Sequence, residues 1–118
     1  MNMQMIASLF TLFSGEHDTD TYSPLFISSL QEVESVLRED VNITDVRLCY
    51  LVAAIANLRY TQIYGAREKA LATYAGTIAR ESNFEQQIRF AEQLVNSYRN
   101  LCHDLLLESQ AFLLSMKG

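Results

Sequence analysis

Four residues near the N-terminus carry side chains that could bind a hard metal ion. Glu16, His17, Asp18 and Asp20 lie within five positions of one polar segment. Carboxylates and imidazole bind divalent cations, and a metal-dependent hydrolase would need such a set. The segment lacks the glycine and the distal glutamate of a calcium-binding loop. We therefore interpret these residues as a solvated loop and helix start, with a metal-dependent hydrolase as an alternative.

The other residues that could act in catalysis are isolated from one another. Cys102 and His103 are sequence neighbours in a predicted helix, so their side chains diverge and cannot pair as nucleophile and base. The chain has no glycine-rich phosphate loop, no His-Glu-x-x-His motif and no Glu-x-x-His pairs of the di-iron type. We therefore expect a protein that is not an enzyme, with no catalytic, cofactor-binding or metal-binding residues.

The cysteines and the N-terminus indicate where the protein is found. Cys49 and Cys102 lie in apolar segments without Cys-x-x-Cys spacing, which is typical of small core residues in a reducing compartment. The N-terminal segment lacks the basic stretch and cleavage site of a signal peptide. The longest uncharged apolar run is too short to cross a bilayer. These features predict a cytoplasmic location and no membrane partner.

Charge is distributed unevenly along the chain, whose net charge is −5. Residues 1–45 contain eight acidic residues and one basic residue, a charge of −7, whereas residues 46–118 contain six and eight, a charge of +2. No Lys/Arg cluster is present, so specific nucleic-acid binding is not expected. Two interpretations of the asymmetry stay open, namely ordinary solvated faces or head-to-tail association of subunits with unlike ends.

Composition and periodicity predict an all-α protein. The 118 residues form a single domain, 49% of them are hydrophobic, and four Gly and one Pro are few for a β-rich chain. The predicted centre is a helix over residues 44–64, capped by Thr44, with Asp45 in its first turn. Within it, residues 48–58 contain no charge, and Asn57 is their single strongly polar side chain. A helix that is apolar nearly all round is expected in the middle of a bundle.

Two amphipathic helices are predicted before the central one. Residues 4–14 place apolar side chains along one stripe, and Gly15 is expected to end this helix in the left-handed conformation. The next helix begins either with Ser23 as N-cap and Pro24 in the first turn or with Asp20 as the cap. Its apolar face continues to residue 37, and residues 38–43 form a linker. The apolar positions of this face are Phe26, Ile27, Leu30, Val33, Val36 and Leu37.

The remaining sequence predicts a fourth helix and one extended segment. The central helix is expected to continue past Gly65, where an interior glycine indicates a kink or a close helix–helix approach. Gly76 then interrupts the pattern, and residues 77–80 could be extended. Ser82 and Glu85 have the spacing of a capping box that opens the last helix. The stripe of that helix consists of Ile88, Ala91, Leu94, Val95, Tyr98, Leu101, Cys102, Leu105 and Leu106.

The last residues are unusually apolar for a chain end. Chain termini are usually polar, yet this one carries Phe112, Leu113, Leu114 and Met116. They could fold back on the same subunit or contact a neighbouring one. If subunits associate, these four residues are the candidates for the interface.

The order of the segments resembles a known family. An apolar N-terminal helix leads through an acidic turn to an amphipathic helix, an Ala/Tyr-rich apolar helix, residues 76–82 and a long final helix. This layout resembles the small helical head–tail connector or head-completion proteins of tailed phages and prophages. That family has a Gly-Asp-Val-Ser-like hairpin segment where this chain has Gly76-Thr77-Ile78-Ala79. The resemblance implies a structural protein, in the bacterial cytoplasm or the virion, that forms homo-oligomers and contacts the portal or other head and tail proteins.

A different class stays open beside this one. A cytoplasmic helical adaptor or regulator without a virion role fits the same composition. Both interpretations share one architecture, a small bundle of about four helices around the helix of residues 44–64, with a possible short extended segment near residues 77–80.

Overall fold

The computed structural model describes the backbone of residues 1–75 and 79–107, with side chains for residues 1–67 and 84–107. This part of the chain contains four α-helices and no β-strand, so the predicted all-α bundle is confirmed. The helices are α1 (Met3–Ser14), α2 (Thr19–Glu34), α3 (Val46–Ala75) and α4 (Ala79–Leu101), followed by a short 3₁₀ turn (His103–Leu105). The helix α3 packs against each of the other three helices.

The apolar centre of α3 forms the core, as its sequence predicts. Every residue from 51 to 58 is buried, because α1, α2 and α4 cover α3 from different sides. Phe10 of α1 packs edge-on against Phe26 of α2 and Tyr60 of α3, with ring centroids 5.0 and 5.3 Å apart. Edge-to-face geometry of this kind is favourable beyond simple burial of apolar area. Phe10 therefore joins three helices at one point.

The first helix agrees with its prediction, and the second begins earlier than expected. Gly15 ends α1 with φ 77°, the left-handed conformation that a glycine adopts without a steric penalty. Asp18, rather than Ser23 or Asp20, caps α2, and its carboxylate accepts from the backbone N–H of Thr21. Pro24 consequently lies inside the helix.

A local hydrogen bond accommodates that proline. Pro24 has no N–H, so the carbonyl of Asp20 one turn earlier loses its helical donor. The hydroxyl of Ser23 donates to this carbonyl at 3.0 Å. The helix therefore continues through the proline, with one side-chain bond in place of the missing backbone bond. This is why the predicted start at Ser23 and Pro24 is wrong.

Two other predicted helix starts are also wrong. The side chain of Asp45, not Thr44, caps α3 by accepting from the backbone N–H of Arg47 at 3.0 Å, while the Thr44 hydroxyl donates to Asn42. The capping box at Ser82 does not open the last helix, because α4 already begins at Ala79. Residues 79 and 80 are therefore helical rather than extended, and residues 77 and 78 of that prediction lie outside the described residues.

Several apolar residues of the predicted helices are exposed. Ile27 of α2, Ile63 of α3 and Leu101 of α4 all face solvent. Helical periodicity identifies a face, but it does not show how far along that face a neighbouring helix extends. The apolar face of α2 also ends early, since the helix stops at Glu34 and Leu37 instead pairs with Leu106 in an isolated antiparallel bridge.

Polar contacts join the segment after α4 to the connection between α2 and α3 and to the start of α3. The N–H of Arg38 donates to the carbonyl of Leu105, and the N–H of Leu107 donates to the carbonyl of Val36. Arg47, at the start of α3, forms ion pairs with Asp45 and with Asp104 beyond α4. Its guanidinium also donates to the carbonyl of Leu101, which is the last residue of α4. These bonds fix the end of α4 against the start of α3.

The interior glycine of α3 marks a close approach of two helices. Gly65 lies directly beneath the ring of Phe84 on α4, and a Cβ atom at this position would overlap the ring. The predicted close approach is therefore confirmed, and α3 continues helically through the glycine. Glycine is used here for space, since its backbone has ordinary helical geometry.

Candidate functional site

The acidic segment between α1 and α2 serves the local structure. Glu16 accepts a hydrogen bond from the phenol of Tyr60 at 3.1 Å and another from the N–H of Asp18 at 3.0 Å. Asp18 accepts from both the hydroxyl and the N–H of Thr21, and these bonds lower the pKa of its carboxyl. Two of the four candidate metal ligands thus already accept hydrogen bonds from the protein. In the described part of the chain, no three His, Cys, Asp or Glu side chains are grouped to hold a metal ion.

Cys102 and His103 lie in different environments. Cys102 is buried, and its thiol donates to the carbonyl of Arg47 at 3.4 Å. Burial raises the pKa of the Cys102 thiol to about 11, so it stays protonated near neutral pH and is a poor nucleophile. His103 is exposed, and neighbouring Asp104 is engaged by Arg47. The structure therefore separates the two side chains, as the sequence predicts.

An uncharged cleft lies between α1, α3 and α4, at the point where α1 ends and the two longer helices continue. We call it the aromatic cleft. Its volume is about 450 Å³, within the range of roughly 300–1,000 Å³ that is usual for binding pockets. It is lined by Phe13, Ser14, Asn57, Tyr60, Thr61, Tyr64, Gln87, Phe90, Ala91 and Leu94. None of these side chains carries a charge, so the cleft suits an apolar group better than a charged substrate.

Asn57 provides an unusual polar group in this cleft. The residue is 6% exposed, and its side-chain amide forms no hydrogen bond with the described residues. Its backbone carbonyl, in contrast, accepts from the hydroxyl of Thr61 at 2.7 Å. The amide borders the open cleft, so water can reach its polar atoms, and neither of them is both buried and without a partner. A ligand with a peptide or hydroxyl group could satisfy this amide while its apolar part contacts the walls.

Tyr60 forms a rigid side of the cleft. Burial, and next the hydrogen bond to Glu16, raise the pKa of its phenol, so the hydroxyl remains a neutral donor. Its ring stacks on that of Tyr64 at 5.6 Å and meets the ring of Tyr22 edge-on at 4.8 Å. A side chain held on three sides does not need to be ordered when a ligand binds, which reduces the entropic cost of binding.

The rim of the cleft exposes two large aromatic side chains. Phe90 of α4 is 65% exposed, and Tyr64 of α3 is 43% exposed. Neither residue belongs to a sequence pattern that indicates function. Phe90 was discoverable as an aromatic residue that falls outside the apolar stripe of α4. The convergence of α1, α3 and α4 around Asn57 has no such signal in the sequence.

A second depression lies at the other end of the fold. It measures about 920 Å³ and is lined by Ser35, Val36, Arg38, Glu39, Asp40 and Leu107. Most of these side chains are exposed, and the depression is broad and open to solvent. It is more open than the aromatic cleft and its lining includes three charged residues, Arg38, Glu39 and Asp40, so it is the weaker candidate for an apolar partner.

The structure bears on the predicted charge asymmetry but does not describe the predicted interface residues. Phe112, Leu113, Leu114 and Met116 lie outside the described residues. The acidic and basic parts of the sequence meet within one subunit, since Glu32 of α2 pairs with Arg59 of α3 at 3.3 Å. Some of the charge considered for head-to-tail association is therefore engaged inside the molecule. Exposed ion pairs contribute only about 0–1 kcal/mol, so they would orient subunits rather than hold them together.

Comparisons with known proteins do not assign a function to this site. Among the described residues, no helix combines the length and the hydropathy that crossing a bilayer requires. Comparisons of the chain with protein-family models, with curated proteins and with solved structures found no match.

Proposed function

We propose that this chain is a phage- or prophage-derived structural or assembly protein that acts by self-association and protein–protein contacts. The observation that carries this proposal is the aromatic cleft, with an uncharged lining that includes the amide of Asn57 and with an exposed aromatic rim. Exposed apolar surface around a concave site is typical of protein interfaces, and aromatic residues are enriched there. The layout shared with head–tail connectors supports the same role, in the bacterial cytoplasm or the virion.

The proposed contact joins the apolar C-terminal segment of one subunit to the aromatic cleft of the next. The segment supplies Phe112, Leu113, Leu114 and Met116, and the cleft supplies the rings of Phe90 and Tyr64. Burial of one such side chain contributes roughly 1.5–3 kcal/mol, more than an exposed ion pair. A contact between two different surfaces is heterologous, and it closes into a ring when the rotation between subunits allows.

Sedimentation velocity over a concentration series tests this contact. We expect the full-length protein to form larger species as its concentration rises, and this behaviour to persist in moderate salt. Deletion of residues 109–118 and the substitution Phe90→Ser should each shift the protein towards monomer. The matched control is Leu12→Ser, since Leu12 is 73% exposed on α1 and does not line the cleft.

Two outcomes would contradict self-association through the aromatic cleft. A full-length protein that stays monomeric at high concentration would argue against self-association and favour the cytoplasmic adaptor or regulator. Oligomers that are unchanged by both the deletion and Phe90→Ser would place the interface on other helix faces. For the phage assignment, a capsid or portal gene beside this gene would support it, and a neighbourhood without phage genes would count against it.

A further inference from the structure

A small recess lies beside the end of α4, apart from the aromatic cleft. We call it the Arg99 recess. Its volume is about 170 Å³, and it is lined by Arg99, Asn100, His103, Leu106 and Leu107. Arg99 belongs to the last turn of α4, and the 3₁₀ turn brings His103 to the same recess. A recess of this size accommodates a group such as a phosphate or a carboxylate, but not a large organic ligand.

Arg99 is the unusual residue of this recess. Its Nη1 atom is buried and has no hydrogen-bond partner, and no carboxylate of the described residues lies within ion-pair distance. Burial lowers the pKa of its guanidinium from the usual very high value. Arg99 differs in this respect from Arg47, which contacts two carboxylates, and from Arg59, which contacts one.

The energetics of this arrangement favour a bound acceptor. A buried donor without a partner has lost its hydrogen bonds to water without a replacement, and this loss is larger when the donor is charged. Proximity to the carboxyl end of α4 offsets part of this cost, because a helix C-terminus attracts cations. The helix dipole does not supply a hydrogen-bond acceptor to Nη1, however. An acceptor from another source is therefore expected.

The other polar residues of the recess point to the charge of that acceptor. Asn100 offers an amide donor, and His103 offers a ring N–H donor. Asp104, the nearest acid in sequence, is directed to Arg47 instead. An oxyanion has only acceptors and could bond to the guanidinium, the amide and the imidazole together. The planar guanidinium of arginine is well matched to carboxylate and phosphate.

We propose that the Arg99 recess binds a small oxyanion, of the carboxylate or phosphate class. This site goes beyond the assembly role and does not depend on it, because none of its residues lines the aromatic cleft. The oxyanion could be a free ion or a carboxylate of this chain. Glu108, which follows Leu107 in the sequence, is the next carboxylate along the chain after Asp104.

NMR titration of the full-length protein with inorganic phosphate at constant ionic strength tests the proposal. We expect saturable shifts of the Arg99 Nε–Hε signal and of the amides around residues 99–107. Arg99→Gln should weaken phosphate binding by roughly ten- to hundredfold, which corresponds to the loss of one charge-assisted hydrogen bond. His103→Gln, a change at an exposed position, should weaken it less and keeps the test valid if Arg99→Gln does not fold. The matched control is Arg89→Gln, an exposed arginine of the same helix outside the recess.

The Glu108→Gln variant distinguishes the two sources of the oxyanion. Phosphate binding by the wild type supports a free ion as the ligand. Binding by Glu108→Gln but not by the wild type supports the oxyanion site with Glu108 as its natural occupant. The absence of saturable shifts in both proteins would overturn the proposal, as would equal phosphate affinity in the wild type and Arg99→Gln.

Discussion

The two parts of α3 have similar backbones and very different surroundings. Residues 51–58 are all buried, whereas Gln62, Ile63, Tyr64 and Arg67 of the next turns are exposed. The difference follows from the lengths of the partner helices. The 30 residues of α3 span about 45 Å, whereas the 12 and 16 residues of α1 and α2 span about 18 and 24 Å. Both short helices cover the first part of α3, and beyond Thr61 the main neighbour is α4.

The covered part of α3 stabilises the fold, whereas the boundary of that part offers surface for binding. The first part of α3 provides contacts on all sides, so its substitutions should act on stability. The aromatic cleft lies at the boundary, with Asn57 and Tyr60 on the covered side and Tyr64 on the uncovered side. A helix that extends beyond its neighbours leaves apolar surface that they do not cover, and that surface is available for binding.

The largest expected effect comes from truncating the covered part of α3. Leu51→Ala or Ile55→Ala should each lower the free energy of unfolding by about 2–5 kcal/mol, because the enclosed helix cannot relax around the resulting cavity. Ile63→Ala, in the uncovered part at 41% exposure, is the control and should cost less than about 1 kcal/mol. Urea denaturation followed by circular dichroism measures all three. Equal losses at Leu51 and Ile63 would remove the distinction between the two parts.

A smaller effect is expected at the point where the uncovered part of α3 meets α4. Gly65→Ala should destabilise the protein by about 1–3 kcal/mol, because the new methyl group displaces the ring of Phe84. In a Phe84→Ala background the same substitution should instead stabilise by about 1 kcal/mol, since alanine is the better helix former. A double-mutant cycle in denaturant measures this change of sign. Stabilisation by Gly65→Ala in both backgrounds would show that the two helices are not in close contact there.

The smallest expected effect concerns a buried hydroxyl that packs within the covered region. Ser29 of α2 is fully buried, and its Oγ atom has no hydrogen-bond partner. Ser29→Ala should therefore stabilise the protein by about 1 kcal/mol, through removal of the unpaired hydroxyl and a gain in helix propensity. Ser28→Ala, next to it and exposed, should change stability by less than about 0.5 kcal/mol. Thermal unfolding of both variants compares them, and a clear loss at Ser29 would mean that its hydroxyl is satisfied.

The elements of the fold were predictable because local patterns specify them. The stripe of α1, the left-handed Gly15, the apolar segment of α3 and its continuation through Gly65 all follow from residue spacing and backbone preference. Helix starts were less predictable, because several residues near each start can act as caps. Asp18, Asp20 and Ser23 are all suitable N-cap types, and the choice among them depends on which side chain reaches a free N–H in three dimensions. The hydrogen bond from Ser23 to the carbonyl of Asp20 shows how a helix can continue through a proline.

The amino-acid sequence by itself determined the helical class and the identity of the central helix, because those depend on composition and on contacts between near neighbours in the chain. It also marked Asn57 as the one strongly polar residue in an apolar run. Only the tertiary structure decided which apolar faces are covered, because coverage depends on where each helix ends relative to the next. It likewise decided that Asn57 borders a cleft and that Arg99 lacks an acceptor. Both features depend on the packing of residues that are far apart in sequence, and such packing produces no periodic pattern in the sequence.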